Sequence, residues 1–409
     1  MANISIHLGQ YGNQLGCSFF ETLTEQCSHD YLRLNNKFFR YSSNNILIPR
    51  SVCADLEPKV IDSLATLKSP HFSFDPYNFL SSSCGASNNW AVGYTASDTI
   101  DLVLSRVRKE AERADSLSTI LLFQSLAGGT GSGLGSAVMT ALSDQLSDTL
   151  LLAQVVFPNT GGEVIVHSYN AILSLARLLD CCDGIISTSN AVASEIVQKV
   201  LKIKNPSLHD LNSVLSFQLG SVLCPGSGTL TLEEICCYAF PSPSCKIANT
   251  YVNPIMPKAA LEFTNNKWEA LISQQKSIIL SNNYLSQCVS YSKKGKLLSC
   301  LSNLWGKDSF AFVNSSCSSF TPLLSSPMSS CSTGWSSDNF LGVEKLIGSL
   351  SVCSGVANYL EPICSSASRM LSSNAYVHHY AEFGVDEGVL ANSIASVESV
   401  KSRYLELET

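Results

Sequence analysis

Hydrophobic positions follow two different periods along the first 190 residues of the chain. Short apolar runs are typical of strands that a parallel sheet buries on both faces, and apolar residues at helical spacing indicate amphipathic helices. Their alternation predicts an α/β fold, a Rossmann-like parallel sheet with helices on both faces. Predicted strands cover 46–49, 52–55, 120–123, 150–157 and 184–187, and predicted helices cover 10–26, 97–114, 133–146 and 168–180.

The second half of the chain has a weaker periodicity. Apolar residues recur at helical spacing over 207–222, directly after Pro206, and this pattern predicts a central helix that joins two domains. Residues 342–409 return to helical patterning, with a break near Phe383. Between these helical regions, strands are predicted at 300–307 and 310–313, and the serine-rich stretch 314–338 is predicted to be a long loop.

A glycine-rich run, L-A-G-G-T-G-S-G-L-G at 126–135, directly follows a strand pattern at 119–125 and precedes a helix pattern. This arrangement holds phosphate, because glycine lets the backbone approach the ligand and the first helical N–H groups point at negative charge. The run has no lysine after its last glycine and no register that spells G-x-G-x-x-G, which excludes a Walker A loop and a dinucleotide fingerprint. Ser132 lacks the flanking glycines of a hydrolase elbow, so a phosphate loop of another class is predicted.

A second glycine turn, G-Q-Y-G-N-Q-L-G at 9–16, follows the alternating strand pattern at 3–8 and leads into a predicted helix. Together with the G-G-T-G-S-G core at 128–133, it resembles the tubulin/FtsZ superfamily. The turn itself is similar to the signature of the eukaryotic tubulins, which bacterial FtsZ lacks. One residue departs from that signature, since Tyr11 stands where tubulins carry cysteine.

The resemblance covers nearly the whole chain. It implies a tubulin/FtsZ-like architecture with a GTP-binding domain, a central helix, a smaller α+β intermediate domain and a C-terminal helical region. These parts are expected at 1–205, 206–223, 224–350 and 351–409, in that order. The implied cofactors are GTP or GDP together with Mg2+.

The resemblance also implies which residues contact the phosphate side of the nucleotide. A side-chain amide can bridge a phosphate oxygen and metal-bound water, and magnesium prefers carboxylate oxygens, usually through its waters. Asp55 and Glu57, in a D-L-E-P phrase, are the implied metal ligands, and a turn acid before Pro58 is the alternative interpretation. The implied nucleotide contacts on this side are Gln10, Tyr11, Gln14, Asn88, Ser125, Gly128, Gly129, Thr130 and Gly131, with Glu163 at the ribose.

Guanine recognition is assigned by the resemblance to Asn190 and Asn212, whose amides offer a donor and an acceptor to the base edge. Tubulins stack a tyrosine on the base at the position that Leu208 occupies here. Loss of an aromatic platform weakens binding by roughly 1–3 kcal/mol, so we expect a lower affinity without a change of base.

Catalysis in tubulins comes from an acidic residue of the next subunit, which orients water at the nucleotide. Counting back from the P-S-P phrase at 241–243 places Glu234 at this position. The implied chemistry is a weak, assembly-dependent GTPase activity. A solvated acid pair at a helix start, Glu233 and Glu234, is an equally good interpretation, because the helix dipole favours it.

Several phrases resemble the delta branch of the family rather than alpha or beta tubulin, among them 57–61, 88–94, 162–170 and 375–380. The likeness implies a cytoskeletal protein of the cytoplasm that supports centriole or basal-body triplet microtubules and cilium assembly. Its implied partners are other tubulin subunits, such as another centriolar tubulin. A non-polymerising nucleotide-binding regulator or scaffold is the alternative. A small-molecule enzyme has little support, since the sequence suggests no set of nucleophile, base and orienting group.

Composition agrees with a large globular protein. Hydrophobic residues make up 45% and charged residues 14% of the 409 residues. The formal net charge of -7 argues against nucleic acid as a partner, and no apolar run is long enough to insert across a membrane. The 16 cysteines include no C-x-x-C spacing, so we expect reduced, mostly buried thiols rather than zinc ligands.

Overall fold

The computed structural model describes residues 1–34, 37–158, 164–257, 260, 267–282, 296–325 and 329–407. The chain divides into two compact units. The first comprises Met1–Ile185 and Tyr359–Lys401, and the second comprises Ile186–Asn358 and Ser402–Thr409. The expected four-part division stays a prediction. None of the helices in the described ranges is long and apolar enough to cross a membrane.

The first unit alternates strands and helices from its N-terminus. Its strands are β1 (Ala2–Leu8), β2 (Phe39–Tyr41), β3 (Leu47–Pro49), β4 (Ser51–Asp55), β5 (Phe79–Ser81), β6 (Leu117–Ser125) and β7 (Leu150–Phe157). Its helices over the same span are α1 (Gly9–Gln26), α2 (Pro58–Ala65), α3 (Trp90–Tyr94), α4 (Ser97–Glu112), α5 (Gly135–Gln145) and α6 (His167–Cys181).

The strands β7, β6, β1, β4 and β5 form a parallel sheet in that order, and β2 pairs with β3 as an antiparallel hairpin. β1 is buried along its whole length and β6 along nearly all of it, because helices such as α1 pack against the sheet. The carboxyl ends of parallel neighbours meet at one edge of a sheet. The two glycine turns follow β1 and β6 and therefore start at the same edge.

The second unit begins within β8 (Gly184–Ser189). It continues with α7 (Asn190–Glu195), α8 (Leu208–Leu223), α9 (Leu232–Ala239), β9 (Ile247–Asn253), α10 (Trp268–Ser281), β10 (Leu297–Gly306), α11 (Val313–Phe320), β11 (Ser330–Ser336) and β12 (Lys345–Cys353). β10 lies between β11, to which it is parallel, and β12, to which it is antiparallel, and β12 also pairs with β9.

The chain then forms α12 (Ala357–Ser372), α13 (Val377–Ala381) and α14 (Glu387–Glu406).

Several sequence predictions are confirmed. The helix predicted over 207–222 is α8, which starts at a capping box: Ser207 Oγ accepts from the Asp210 N–H at 3.2 Å, and the Asp210 carboxylate accepts from the Ser207 N–H at 2.8 Å. The break near Phe383 lies between α13 and α14, where Gly384 has a φ of 82°. Most cysteines of the described ranges are buried, and no disulfide joins them.

Three predictions for the second half of the chain are wrong. The stretch 314–338 is not one long loop, because it contains most of α11 and all of β11. Residues 310–313 are helical rather than a strand, and 345–353, expected to be helical, form β12. Backbone pairing with β10 holds the serine-rich β11, and such pairing leaves no hydrophobic period in the sequence. β12 is buried along almost its whole length, so it lacks the alternation that identifies a half-exposed strand.

Candidate functional site

The two glycine turns of the first unit lie against each other. Gly9 has a φ of 70°, in the left-handed region that glycine adopts without strain. A Cβ built on Gly9 would lie 2.9 Å from the backbone nitrogen of Gly131, and one built on Gly131 would lie 3.1 Å from the carbonyl oxygen of Leu8. At the start of the run, Ser125 Oγ accepts from the Ala127 N–H at 3.2 Å. Close backbone approach therefore explains why glycines stand at both turns.

The glycine run passes from β6 into α5 through a wide helical turn, Thr130–Leu134. Gly129 is tightly packed, since an added Cβ would lie 2.6 Å from the Asn89 nitrogen and 2.8 Å from Ala86 Cβ. Gly128 differs, because apart from Gly128 and its two chain neighbours no atom of the described residues lies within 4 Å of a Cβ added there. Open space beside glycine backbone, before a helix N-terminus, suits a phosphate group.

The first two turns of α1 carry three of the predicted nucleotide contacts. Gln10 is exposed and Gln14, one turn further, is partly buried, so both lie on the same side of the helix. Tyr11 is partly buried, and its hydroxyl accepts a hydrogen bond from Gln154 Nε2 on β7 at 3.2 Å. The departure from the tubulin signature at position 11 is thus accommodated by a polar contact within the first unit. Asn13 ties this turn to β4, donating to the Ala54 carbonyl at 3.0 Å.

Of the two predicted metal ligands, Asp55 is the last residue of β4 and Glu57 lies two residues further along the chain. Asp55 is 3% exposed, whereas Glu57 is exposed. Burial raises the pKa of the Asp55 carboxyl to about 6, opposed by hydrogen bonds from the Glu57 backbone and the Thr130 side chain. The Thr130 contact brings this carboxylate to the glycine run. In the described part of the chain no group of three or more His, Cys, Asp or Glu side chains could hold a metal ion.

The loop before α3 supplies Asn88. Its φ of 54° is left-handed, and its side chain is at the surface. The neighbouring Asn89 caps α3, since its Oδ1 accepts from the Ala91 N–H at 2.9 Å. The Asn88 carbonyl in turn accepts a hydrogen bond of 2.7 Å from Asn170 on α6. These contacts fix the backbone of the loop while the Asn88 side chain faces outward.

The residues assigned to the base lie in the second unit, on α7 and α8, which pack against each other. Asn190 is the first residue of α7 and is partly buried, and Asn212 on α8 is 7% exposed. Leu208 begins α8 and is 56% exposed. An exposed leucine offers a flat base some apolar surface but lacks the π face of tyrosine.

The remaining candidates are Glu234 and Glu163. Glu234 lies near the start of α9, where its carboxylate accepts from the Thr231 N–H at 2.8 Å and its own N–H donates to Thr231 Oγ1 at 3.3 Å. This capping box agrees with the alternative interpretation of an acid at a helix start, and the catalytic role stays a prediction. Glu163 lies outside the described residues.

Asn170 was not predicted as a site residue from the sequence. It is the last residue of the phrase 162–170 that resembles the delta branch. Asn170 is fully buried on α6 and hydrogen-bonds to the loop before α3, to Trp90 and to the glycine run. The sequence signal for Asn170 was its place within a largely apolar helix. A buried amide without hydrogen-bond partners is costly, so an asparagine at such a position indicates that partners are present.

The glycine turns at one edge of a parallel sheet agree with what the comparison with known proteins finds. Residues 3–198 match the GTPase domain of the tubulin/FtsZ family. This match implies that the chain binds GTP or GDP.

The relatives that match over the whole length of the chain include tubulin delta chains. The chain is 28% identical to the tubulin delta chain of Canis lupus familiaris and 29% identical to that of Homo sapiens, each alignment covering 100% of both chains. It is 32% identical to the tubulin beta-2 chain of Geotrichum candidum over 64% of this chain and 62% of that one. The predicted resemblance to the tubulin family and to its delta branch is confirmed.

Proposed function

We propose that the chain binds GTP with Mg2+, and that it works with other tubulin subunits at centrioles or basal bodies to support triplet microtubules and cilium assembly. One observation supports the nucleotide site most: the Gly9 turn packs on the glycine run at the ends of two adjacent parallel strands. The full-length likeness to tubulin delta chains supports the cellular role.

The proposed roles on the phosphate side follow from the geometry of the first unit. Phosphate oxygens would approach the run at Gly128, where space is open and the positive end of α5 follows. Gln10 would offer its amide to phosphate or to metal-bound water. Asp55 and Glu57 would hold the waters of Mg2+, which, when bound, neutralises charge on the phosphates. Asn190 and Asn212 remain the residues proposed for guanine.

The nucleotide site is tested by identifying what the purified protein carries. We expect guanine nucleotide in stoichiometric amount from the wild type and none from the double variant Thr130→Val with Asn190→Ala. Thr140→Val is the matched control, because Thr140 Oγ1 donates to the Ser136 carbonyl within α5 at 2.8 Å. Adenine nucleotide, or an empty folded wild type that takes up no added GTP, would contradict the proposal.

The cellular role is tested by removing the protein from a ciliated cell. We expect centrioles with incomplete triplets and fewer cilia, restored by the wild-type chain but not by the nucleotide-site double variant. Intact triplets after complete loss would reject the centriolar role and leave the nucleotide site standing.

A non-polymerising regulator is the second candidate, favoured by the engagement of Glu234 in the α9 capping box. Glutamine also completes a capping box, so Glu234→Gln removes the carboxylate and keeps the cap, whereas Glu234→Ala removes both. A GTPase that depends on assembly should hydrolyse faster per molecule at higher protein concentration and lose this rise in both variants. A regulator should hold nucleotide without turnover at every concentration.

A further inference from the structure

Asn170 stands at the junction of the loops proposed to hold phosphate. Its Nδ2 donates to the carbonyl of Asn88 at 2.7 Å and to the carbonyl of Ala127 at 2.8 Å. Its Oδ1 accepts from the Trp90 N–H at 2.9 Å. One side chain therefore joins the loop before α3 to the first residues of the glycine run.

The fourth partner of Asn170 comes from the C-terminal part of the first unit. The Tyr380 hydroxyl, on α13, donates to Asn170 Oδ1 at 2.7 Å, and both residues are fully buried. The orientation of the amide is determined chemically, because two carbonyls can only accept and a backbone N–H can only donate. Two donors and two acceptor positions are all used, which is the full capacity of an asparagine side chain.

Further contacts hold the same C-terminal segment, 375–381, against these loops. Asn89 Nδ2 donates to the carbonyl of His379 at 2.9 Å. Tyr169 donates its hydroxyl to the carbonyl of Ala375 at 3.2 Å, and its ring packs edge-on against Tyr380 at 5.5 Å. Tyr169 therefore supports the segment without touching the Asn170 amide through its hydroxyl.

We propose that Asn170 is a positioning residue for nucleotide phosphate, and that Tyr380, by orienting it, couples the C-terminal segment 375–381 to phosphate binding. The proposal rests on the proposed nucleotide site, since Asn170 acts through the backbones of Asn88 and the glycine run. Coupling of this kind is reciprocal. Phosphate binding should steady the segment, and a ligand that draws the segment away should release nucleotide.

The test separates phosphate positioning from a general structural role by comparing affinities for GTP and for guanosine, which lacks phosphate. Tyr380→Phe removes the hydroxyl on Asn170 and should lower the GTP-to-guanosine affinity ratio by about three- to tenfold, chiefly through weaker GTP binding. Tyr169→Phe is the matched control, since Tyr169 is a buried tyrosine on α6 whose hydroxyl bonds to the same segment but not to Asn170, and it should leave the ratio unchanged. Asn170→Asp keeps the acceptor and removes both donors, so it should lower the ratio further where the variant folds.

A second measurement reads the coupling directly. Addition of GTP should slow backbone hydrogen exchange over 375–381 in the wild type and in Tyr169→Phe, and the slowing should disappear in Tyr380→Phe. An unchanged affinity ratio in Tyr380→Phe, or an equal fall in both tyrosine variants, would overturn the inference while the nucleotide site stands. A wild type that binds GTP no more tightly than guanosine would overturn the proposed site and this inference together.

Discussion

The first-unit loops proposed to bind phosphate (the phosphate side) are 9–14, 86–89 and 126–131. They differ in kind from the second-unit residues proposed to bind the base (the base side), which are Asn190, Leu208 and Asn212. The loops are specified by backbone packing: Gly9 and Gly129 leave no room for a Cβ, and Asn170 holds two of the loops by hydrogen bonds. The base side depends on a few side chains at the starts of helices, one of which, Leu208, departs from the family. Phosphate binding should therefore depend on the backbone of the loops and on the buried side chains that hold it, and base binding should depend on the side chains that face the base.

The largest effect of a substitution at neutral pH is expected from Gly129→Ala. Its new Cβ would lie 2.6 Å from the Asn89 nitrogen, so either the run or the α3 loop must shift. We expect a loss of unfolding free energy on the order of 3 kcal/mol, measured by urea denaturation, together with loss of bound nucleotide. Gly128→Ala is the control for stability, because its Cβ meets no atom of the described residues within 4 Å beyond its own chain neighbours. Equal destabilisation by the two variants would contradict the claim that close backbone packing specifies the phosphate-side loops.

The next effect concerns His7, on β1 beneath the first glycine turn. Its ring is fully buried between Phe20 and Phe123, with ring centroids at 5.4 and 5.1 Å, and burial lowers its pKa to about 3. Between pH 6.5 and 3 the His7 ring is protonated in the unfolded chain and neutral in the folded chain. The contribution to stability is therefore complete above pH 6.5 and is lost as the pH falls, at about 1.4 kcal/mol per pH unit.

The measurement is the slope of unfolding free energy against pH over this window, for the wild type and for His7→Phe. The variant should have the shallower slope, whatever its absolute stability. An identical slope in the two proteins would show that His7 does not stay neutral in the folded first unit.

On the base side, Leu208→Tyr should tighten nucleotide binding. A tyrosine ring restores the stacking surface, which is worth roughly 1–3 kcal/mol, and the gain should be equal for GTP and guanosine because stacking acts on the base. Leu102→Tyr on α4 is the control, since Leu102 is also exposed, at 48%. Calorimetric titration with both ligands decides the matter. A gain for GTP that is absent for guanosine would contradict the division between phosphate side and base side.

The smallest effect is expected at Glu234, outside both regions. Glu234→Ala removes one capping contact of α9 and should cost about 1 kcal/mol of unfolding free energy, whereas Glu234→Gln should cost less. Neither variant should alter the affinity for GTP in dilute protein. A change in that affinity would place Glu234 in the nucleotide site of its own subunit, contrary to the role proposed for it.

The sequence predicted the first unit better than the second for a physical reason. Strands such as β6 are buried on both faces and therefore appear in the sequence as apolar runs. The glycine turns are recognisable because close backbone approach tolerates no side chain, so glycine is required at fixed positions. β11 carries no such signal, since its seven residues S-C-S-T-G-W-S are placed by pairing with β10. Asn170 and Tyr380 are 210 positions apart, and only the folded chain brings the two side chains together.

The central claim, that the first-unit loops bind the phosphates of a guanine nucleotide, is tested most directly by titrating the nucleotide-free wild type with GTP, guanosine and ATP in the presence of Mg2+. The account predicts that GTP binds about a hundredfold or more tightly than guanosine, through charge-assisted hydrogen bonds to phosphate, and more tightly than ATP. Guanosine binding as tightly as GTP would contradict the phosphate loops, and ATP binding as tightly as GTP would contradict the assignment of guanine to Asn190 and Asn212.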